Sequence, residues 1–232
     1  MTELRSGRTI IIADMHGCYD AFLSLLQKCS LDKEKDKLIL LGDAFDRGRK
    51  SWELFAEMQK LDKEMGERFI YILGNHDQML LEAEKSREDA RHWMRNGGLE
   101  TQKSFAVHDT DLNEVRRWLT GRLYRYEDER FICVHAEYDE LQPDDQYRLL
   151  WERSLYRGYR QYTGKLVIAG HTPLKKVLYI DPSGIGIRLE EKEEETVLPE
   201  RGHMIIDTGC VFGYRLTAMI LRGKKYRLVS AV

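Results

Sequence analysis

The stretch Leu38-Ile39-Leu40-Leu41-Gly42-Asp43-Ala44-Phe45-Asp46-Arg47-Gly48 is an unbroken apolar run that ends in two carboxylates, an arginine and a glycine. A strand buried on both faces reads as such a continuous run, and open α/β sheets place ligands at the carboxyl ends of their strands. Chemistry is therefore expected at Asp43 and Asp46. Two other runs end in the same way: Thr9-Ile10-Ile11-Ile12-Ala13 delivers Asp14 and His16, and Phe69-Ile70-Tyr71-Ile72-Leu73 delivers Gly74-Asn75-His76-Asp77. Three strands thus point hard ligands at one edge.

Helical spacing separates these strands. Tyr19 to Cys29 carries Phe22, Leu25, Leu26 and Cys29 at intervals of three and four. Ser51 to Met65 carries Leu54, Met58, Leu61 and Met65 on one stripe and Trp52 and Phe55 beside it, with Ser51 as a cap and Gly66 as a stop. From Gln78 to about Trp118 the pattern stays helical, with a break at Asn96-Gly97-Gly98, and predicts a small helical cap over about residues 78–126. Beyond it come short β-like runs at Arg130 to Val134, Lys165 to Ala169, Lys176 to Ile180, Met204 to Ile206, Leu216 to Leu221 and Tyr226 to Val229, with a hairpin turn at Arg222-Gly223-Lys224. So strand-rich a second half favours two stacked sheets over a single doubly wound one.

The 232 residues fit one domain, 1–232, with 37 basic against 39 acidic residues and a net charge of -2. No global field steers such a chain toward nucleic acid or a membrane. Cys18, Cys29, Cys133 and Cys210 are scattered without a CxxC pair, and those on apolar segments read as small buried hydrophobes instead of a disulfide framework. Met1 to Arg8 has no apolar core of a signal segment, and no run approaches the roughly 18 apolar residues of a membrane span. A cytoplasmic protein is expected. The acidic stretch over about residues 188–202, with Glu190-Glu191-Lys192-Glu193-Glu194-Glu195 at its centre, reads as a solvated, mobile loop.

Collected in order, Asp14, His16, Asp43, Asp46, Asn75, His76, His135 and His171 all follow apolar strands. A single histidine after a strand is most simply a satisfied core residue; it is the coincidence of so many that points to metal. Carboxylate and imidazole donors together suit manganese, iron or zinc better than calcium, and the lack of thiolates argues against a structural zinc. His92 and His108 lie in the helical section and read as structural or exposed. His203 precedes a strand without an obvious role. Asp207-Thr208-Gly209, the aspartic-protease tripeptide in a single copy, reads as a turn near the metal edge. Trp93, Trp118, Tyr124 and Tyr126 read as core or rim.

Asp14-Met15-His16-Gly17, Gly42-Asp43-Ala44-Phe45-Asp46-Arg47-Gly48 and Gly74-Asn75-His76-Asp77 resemble the GDxHG, GDxxDRG and GNHE signatures of the calcineurin-like metallophosphoesterases of phosphoprotein-phosphatase type. Val134-His135-Ala136 and Gly170-His171-Thr172 resemble the two later histidine motifs of that family, and Leu150-Trp151-Glu152-Arg153, Asn96-Gly97-Gly98 and Asp207-Thr208-Gly209 resemble stretches of its smaller bacterial and phage members. Ala13, Arg49, Asp77 and Glu137 depart from the pattern, and none of them removes a ligand. The resemblance implies an α/β fold, an αββα sandwich of two mixed sheets flanked by helices. It also implies two divalent ions, best matched by Mn²⁺ with Fe or Zn as alternatives. One is held by Asp14, His16 and Asp43, the other by Asp43, Asn75, His135 and His171, with Asp43 bridging. On the same resemblance His76 is the general acid and Asp46 its partner, expected to raise the imidazole's pKa, and Arg47, Asn75 and Arg153 bind phosphate. The activity implied is hydrolysis of phosphate monoesters, most simply by a serine/threonine protein phosphatase acting on a phosphoprotein. A dinucleoside polyphosphate hydrolase acting on a nucleotide, and a metal-binding scaffold without activity, are the alternatives.

Overall fold

The computed structural model describes residues 7–154, 164–192 and 194–232. Strand β1 (Thr9–Ile12) lies parallel to β2 (Lys37–Leu40), which lies parallel to β3 (Phe69–Tyr71). Helices α1 (Tyr19–Cys29) and α2 (Ser51–Met65) make the two crossovers. Each crossover helix buries the stripe its spacing predicts: Phe22, Leu25, Leu26 and Cys29 on α1, and Leu54, Phe55, Met58, Leu61 and Met65 on α2. Helix α2 ends at Gly66, whose φ of 57° a side chain would resist. Its N-terminal boundary differs from expectation, because Lys50 stands at the capping position and Ser51, already helical, is buried with its hydroxyl toward Thr101.

The helical section holds α3 (Asn75–Glu82), α4 (Arg87–Trp93), α5 (Leu99–Val107) and α6 (Leu112–Leu119). Asn96-Gly97-Gly98 does not interrupt it as predicted. Met94–Gly98 forms a π turn that joins α4 to α5, with Gly97 alone leaving helical geometry at φ 111°.

Strands β4 (Arg125–Glu127), β5 (Phe131–Val134), β6 (Leu166–Ala169), β7 (Val177–Ile180), β8 (Gly186–Leu189) and β10 (His203–Ile205) form a second sheet in the order β4-β5-β6-β10-β7-β8. Strands β5, β6 and β10 are parallel in it. The terminal hairpin of β11 (Leu216–Arg222) and β12 (Lys225–Ala231) returns to the first sheet, where β11 pairs antiparallel with β1. The acidic stretch is tied down at its far end: β9 (Thr196–Val197) pairs with β12 and Leu198 is buried between the sheets. Its Glu193 lies outside the described residues.

The two-residue period of the strands divides the core. Ile10, Ile12, Leu38 and Leu40 face the helices, whereas Ile11, Ala13, Ile39 and Leu41 meet Phe131, Cys133, Leu166, Ile168 and Met204 of the opposite sheet. On the far face of the second sheet, Ile132, Val134 and Val167 pack on Leu149 of α7 (Gln146–Trp151). The result is an αββα sandwich of two mixed sheets with a small helical cap. Its six parallel strands, β1, β2, β3, β5, β6 and β10, come from both sheets, and the loops that leave them carry Asp14, Asp43, Asn75, His135, His171 and Asp207.

Candidate metal centre and phosphate site

Five non-glycine residues of these loops hold left-handed backbone: His16 (φ 43°), Asp43 (49°), Asp46 (71°), Arg47 (66°) and His171 (63°). Such conformations cost of order 1–3 kcal/mol each and persist only where the surroundings over-determine them. Here the loops fasten one another. The Met15 and His16 amides donate to the Asp43 carbonyl (3.1 and 2.9 Å), and the His171 amide donates to Asp14 Oδ1 (2.9 Å). The His76 amide donates to Asp43 Oδ1 (2.8 Å). Asp77 Oδ2 accepts from the amides of Asp43 (3.0 Å) and Gly74 (2.9 Å) and from the Tyr71 hydroxyl (2.9 Å). In Asp77→Ala those three buried donors lose their acceptor. The expected cost is about 3 kcal/mol, read as a melting temperature lower by roughly 6–12 °C, with weaker metal uptake because Asp43 loses its tether.

Two groups of donors share Asp43: His16, Asp43 and His76, and Asp43, His135 and His171, each with donor atoms within 4.8 Å of one another. Asp43 Oδ2 lies 3.6 Å from His16 Nε2 and 3.4 Å from His135 Nε2. His16 Nδ1 donates to the Phe45 carbonyl (2.7 Å) and His135 Nδ1 to that of Leu41 (2.8 Å), so each imidazole turns the lone pair of Nε2 inward. Asn75 Oδ1 stands 3.0 Å from His135 Nε2, and His171 Nδ1 stands 3.1 Å from it. His171 Nε2 lies 3.3 Å from the Trp151 carbonyl, and the tautomer that donates there presents Nδ1 to the same point. Lone pairs facing one another in a buried pocket repel unless a cation lies among them. The donor set therefore fits divalent metal, with Asp43 central. Asp14 belongs to neither group; it is held by the His171 amide, and His76 stands beside His16 and Asp43 instead.

The electrostatics agree. Burial, then the Asp207 charge, holds Asp14 well above the usual carboxylate range, and burial, then Asp77, does the same for Asp43. Burial lifts Asp46 to about 7, and Asp77 and Asp207 to about 6. Burial and then neighbouring cationic or imidazole groups push His16 well down and His171 to about 2, so both stay neutral and able to ligate. In chelated protein the folded chain keeps protons on Asp14, Asp43 and Asp46 that the unfolded chain releases above about pH 4. More protons bound to the native state means that stability falls as pH rises. Above about 6.5 the unfolded chain's histidines are neutral and no longer oppose this. Melting temperatures measured with chelator should therefore decline as pH rises from about 6.5 through about 7, where Asp46 gives up its proton, and manganese should weaken the decline by neutralising the carboxylates it binds.

Beside the donors lies a proton-handling pair. His76 Nδ1 donates to Asp46 Oδ2 (2.8 Å), as anticipated, but the imidazole's affinity for a proton is not raised. Burial and then Arg47 push it down to about 2 and outweigh the single carboxylate. Asp46 is itself held by Trp93 and Thr101 of the cap, neither of which the sequence marked as site residues. Arg47 Nη1 donates to His16 Nε2 (2.6 Å) and Nη2 to His76 Nε2 (2.7 Å), with its guanidinium 5.6 Å from the Phe212 ring centre. Arg153, exposed, donates from Nη2 to the His171 carbonyl (3.2 Å) and places its Nε 2.9 Å from His171 Nε2. Glu137 is buried, and its Oε2 accepts from the Ser154 hydroxyl (2.6 Å). Asp207 is buried near Asp14, and its signal was the same one that marked the others, an apolar strand ending in a carboxylate. His203 sits inside β10 outside both donor groups, His108 stacks on Trp52 (3.6 Å between ring centres), and His92 is exposed.

A family model described as Calcineurin-like phosphoesterase matches residues 7–214. Serine/threonine-protein phosphatase 1 of Salmonella typhimurium is 27% identical over 231 residues, 93% of each chain. The symmetrical bis(5'-nucleosyl)-tetraphosphatase of Psychromonas ingrahamii is 34% identical over 131 residues, 55% of this chain and 43% of that relative, so the likeness spans less than half of the relative's length. Among solved structures, the cold-active protein-tyrosine phosphatase of a Shewanella species superposes with a TM-score of 0.65 at 16% identity over 97% of this chain and 77% of its own. A metallophosphoesterase from Sphaerobacter thermophilus does so with a TM-score of 0.60 at 18% identity, over 98% and 89% respectively. At these identities the superpositions speak for the fold.

Proposed function

The chain belongs to the calcineurin-like phosphoesterase family, and we propose that within it this site hydrolyses phosphate monoesters of alcohols, as a serine/threonine protein phosphatase does. The observation that carries the reading is the Asp46–His76 pair standing beside two donor groups that share Asp43. A serine or threonine alkoxide is a poor leaving group and needs a proton; the phosphate released from an anhydride does not. An acid pair is therefore most useful to a monoesterase.

Residues Asp14, His16 and Asp43 on one side, and Asp43, Asn75, His135 and His171 on the other, would hold two divalent ions, with manganese the best match to carboxylate, amide and imidazole donors. Bound there, the ions would activate water near neutral pH and offset phosphate charge. Arg47 and Arg153 offer guanidinium forks to the phosphoryl oxygens. Once Arg47 turns to the phosphate, the anion beside His76 favours the imidazolium, and Nε2 hands its proton to the leaving alkoxide while Asp46 keeps the ring oriented. Among the described residues no helix is long and apolar enough to cross a membrane, and the four cysteines are free.

A second reading, hydrolysis of dinucleoside polyphosphates, has one observation in its favour. Phe212 is 54% exposed with its ring centre 5.6 Å from the Arg47 guanidinium, so an aromatic face borders the phosphate position and offers a surface on which a base would stack. Turnover of p-nitrophenyl phosphate with manganese, lost to a chelator, tests the shared chemistry and excludes an inert scaffold. A phosphoserine peptide hydrolysed faster than diadenosine tetraphosphate supports the first reading; the reverse order overturns it.

A further inference from the structure

We propose that the helical cap is a positioning device for the proton-donating pair, with Trp93 and Thr101 as its working residues. This rests on the reading of His76 as the acid. Trp93 Nε1 donates to Asp46 Oδ1 (2.9 Å) and Oδ2 (3.0 Å). Thr101 Oγ1 donates to Asp46 Oδ1 (2.8 Å) and accepts from the Asp46 amide (2.8 Å). Both oxygens of the carboxylate are thereby fixed, and Oδ2 is aimed at His76 Nδ1. All three residues are buried, so neither donor can be replaced by bulk solvent without opening the cap.

The strained π turn explains why the cap can reach so far in. Gly98 lets the indole lie against the backbone, since a Cβ there would stand 2.4 Å from Trp93 Cε2. Gly97 at φ 111° turns its carbonyl to the Arg47 amide (3.1 Å), and a Cβ at this position would stand 2.7 Å from the Arg47 nitrogen. One turn thus serves both left-handed residues, Asp46 and Arg47, whose conformations need outside support. A π turn inside a helix is an unfavourable arrangement that recurs at functional sites. Packing alone does not require an indole N–H or a hydroxyl at Asp46. Valine would fill the space of the threonine, and phenylalanine most of that of the tryptophan.

Positioning of an acid acts through another residue, so its signature is selective. Thr101→Val keeps shape while removing both the donor to Asp46 Oδ1 and the acceptor of the Asp46 amide, and Trp93→Phe removes the indole donor and leaves a small cavity. With manganese bound, both are expected to lower kcat on an alkyl monoester such as phosphoserine by roughly 10–100-fold, part of the 10²–10⁴ that a general acid supplies. The loss on p-nitrophenyl phosphate, whose leaving group needs little help from a proton, should be at least tenfold smaller. KM and metal content should hold, and Thr101→Ser should recover the phosphoserine rate. Equal losses on both substrates in Thr101→Val, or no loss in either variant, overturn the proposal while leaving the phosphatase reading intact. A wild-type protein that turns over neither substrate with manganese overturns the phosphatase reading, and this one with it. Trp93→Phe failing to fold does not protect the idea, because Thr101→Val and its serine counterpart decide it alone.

Discussion

Asp43→Asn is expected to abolish turnover and yet to leave the metal-free protein harder to melt. The side chain is the point shared by both donor groups, 3.6 Å from His16 Nε2 and 3.4 Å from His135 Nε2. Asparagine has no negative charge to set against two dications, so at most one ion should remain, and p-nitrophenyl phosphate turnover should fall by at least about 10⁴, because water that is no longer activated keeps a pKa near 15.7. The backbone tolerates the change. Asparagine is among the few residues at ease near φ 49°, and its Oδ1 still accepts the His76 amide. Without metal the sign reverses. A buried carboxylate near Asp77 and Asp46 is penalised for its charge, and an amide in its place can donate toward the lone pair of His16 or His135. At about pH 8 with chelator the variant should therefore melt at a higher temperature than the parent protein. Metal content and melting curves check both halves. Two ions per chain with surviving activity, or a lower melting temperature in chelator, would remove Asp43 from the centre of the site.

This opposition between stability and activity is also what made the site legible. A strand that is apolar to its last residue and then turns to Asp or His has placed a costly group where the core ends. The runs ending at Asp14, Asp43, Asn75, His135 and His171 all do so, and the strands and both crossover helices follow from the same alternation. Asp207 ends such a run too, but its tripeptide also makes an ordinary turn. Elements held by something other than apolar burial left a weaker trace. Helix α5 turns inward Thr101, Ser104 and Phe105, two of them polar, because its task is to meet Asp46 and α2. Strand β9 is exposed and exists through its ladder with β12, and β8 is exposed over most of its length in the same way through β7. Gly97 and Gly98 look like a helix stop, and only the packing of Trp93 and Arg47 against them shows why the helix instead runs through. The proton affinity of His76 follows the same division: the motif names its carboxylate partner, while burial and Arg47, which set the direction, belong to the folded surroundings.

His76→Asn separates the acid from the ligands around it. The residue adjoins Asn75 in sequence and shares a donor group with His16 and Asp43, so geometry alone would also allow it to bind metal. Its hydrogen bonds argue for the acid. Nδ1 is committed to Asp46, and Nε2 faces Arg47, the group expected to hold the phosphate. Asparagine keeps the amide that donates to Asp43 Oδ1, so the bridging carboxylate should stay in place. Two ions per chain should remain, and kcat on phosphoserine should drop by about 10²–10⁴, with a smaller loss on p-nitrophenyl phosphate. A residue that ligates would behave otherwise, costing metal first and lowering both rates together. Loss of an ion on measuring metal content would move His76 from acid to ligand and take the argument for alcohol monoesters with it, since that argument depends on a proton being available to an alkoxide.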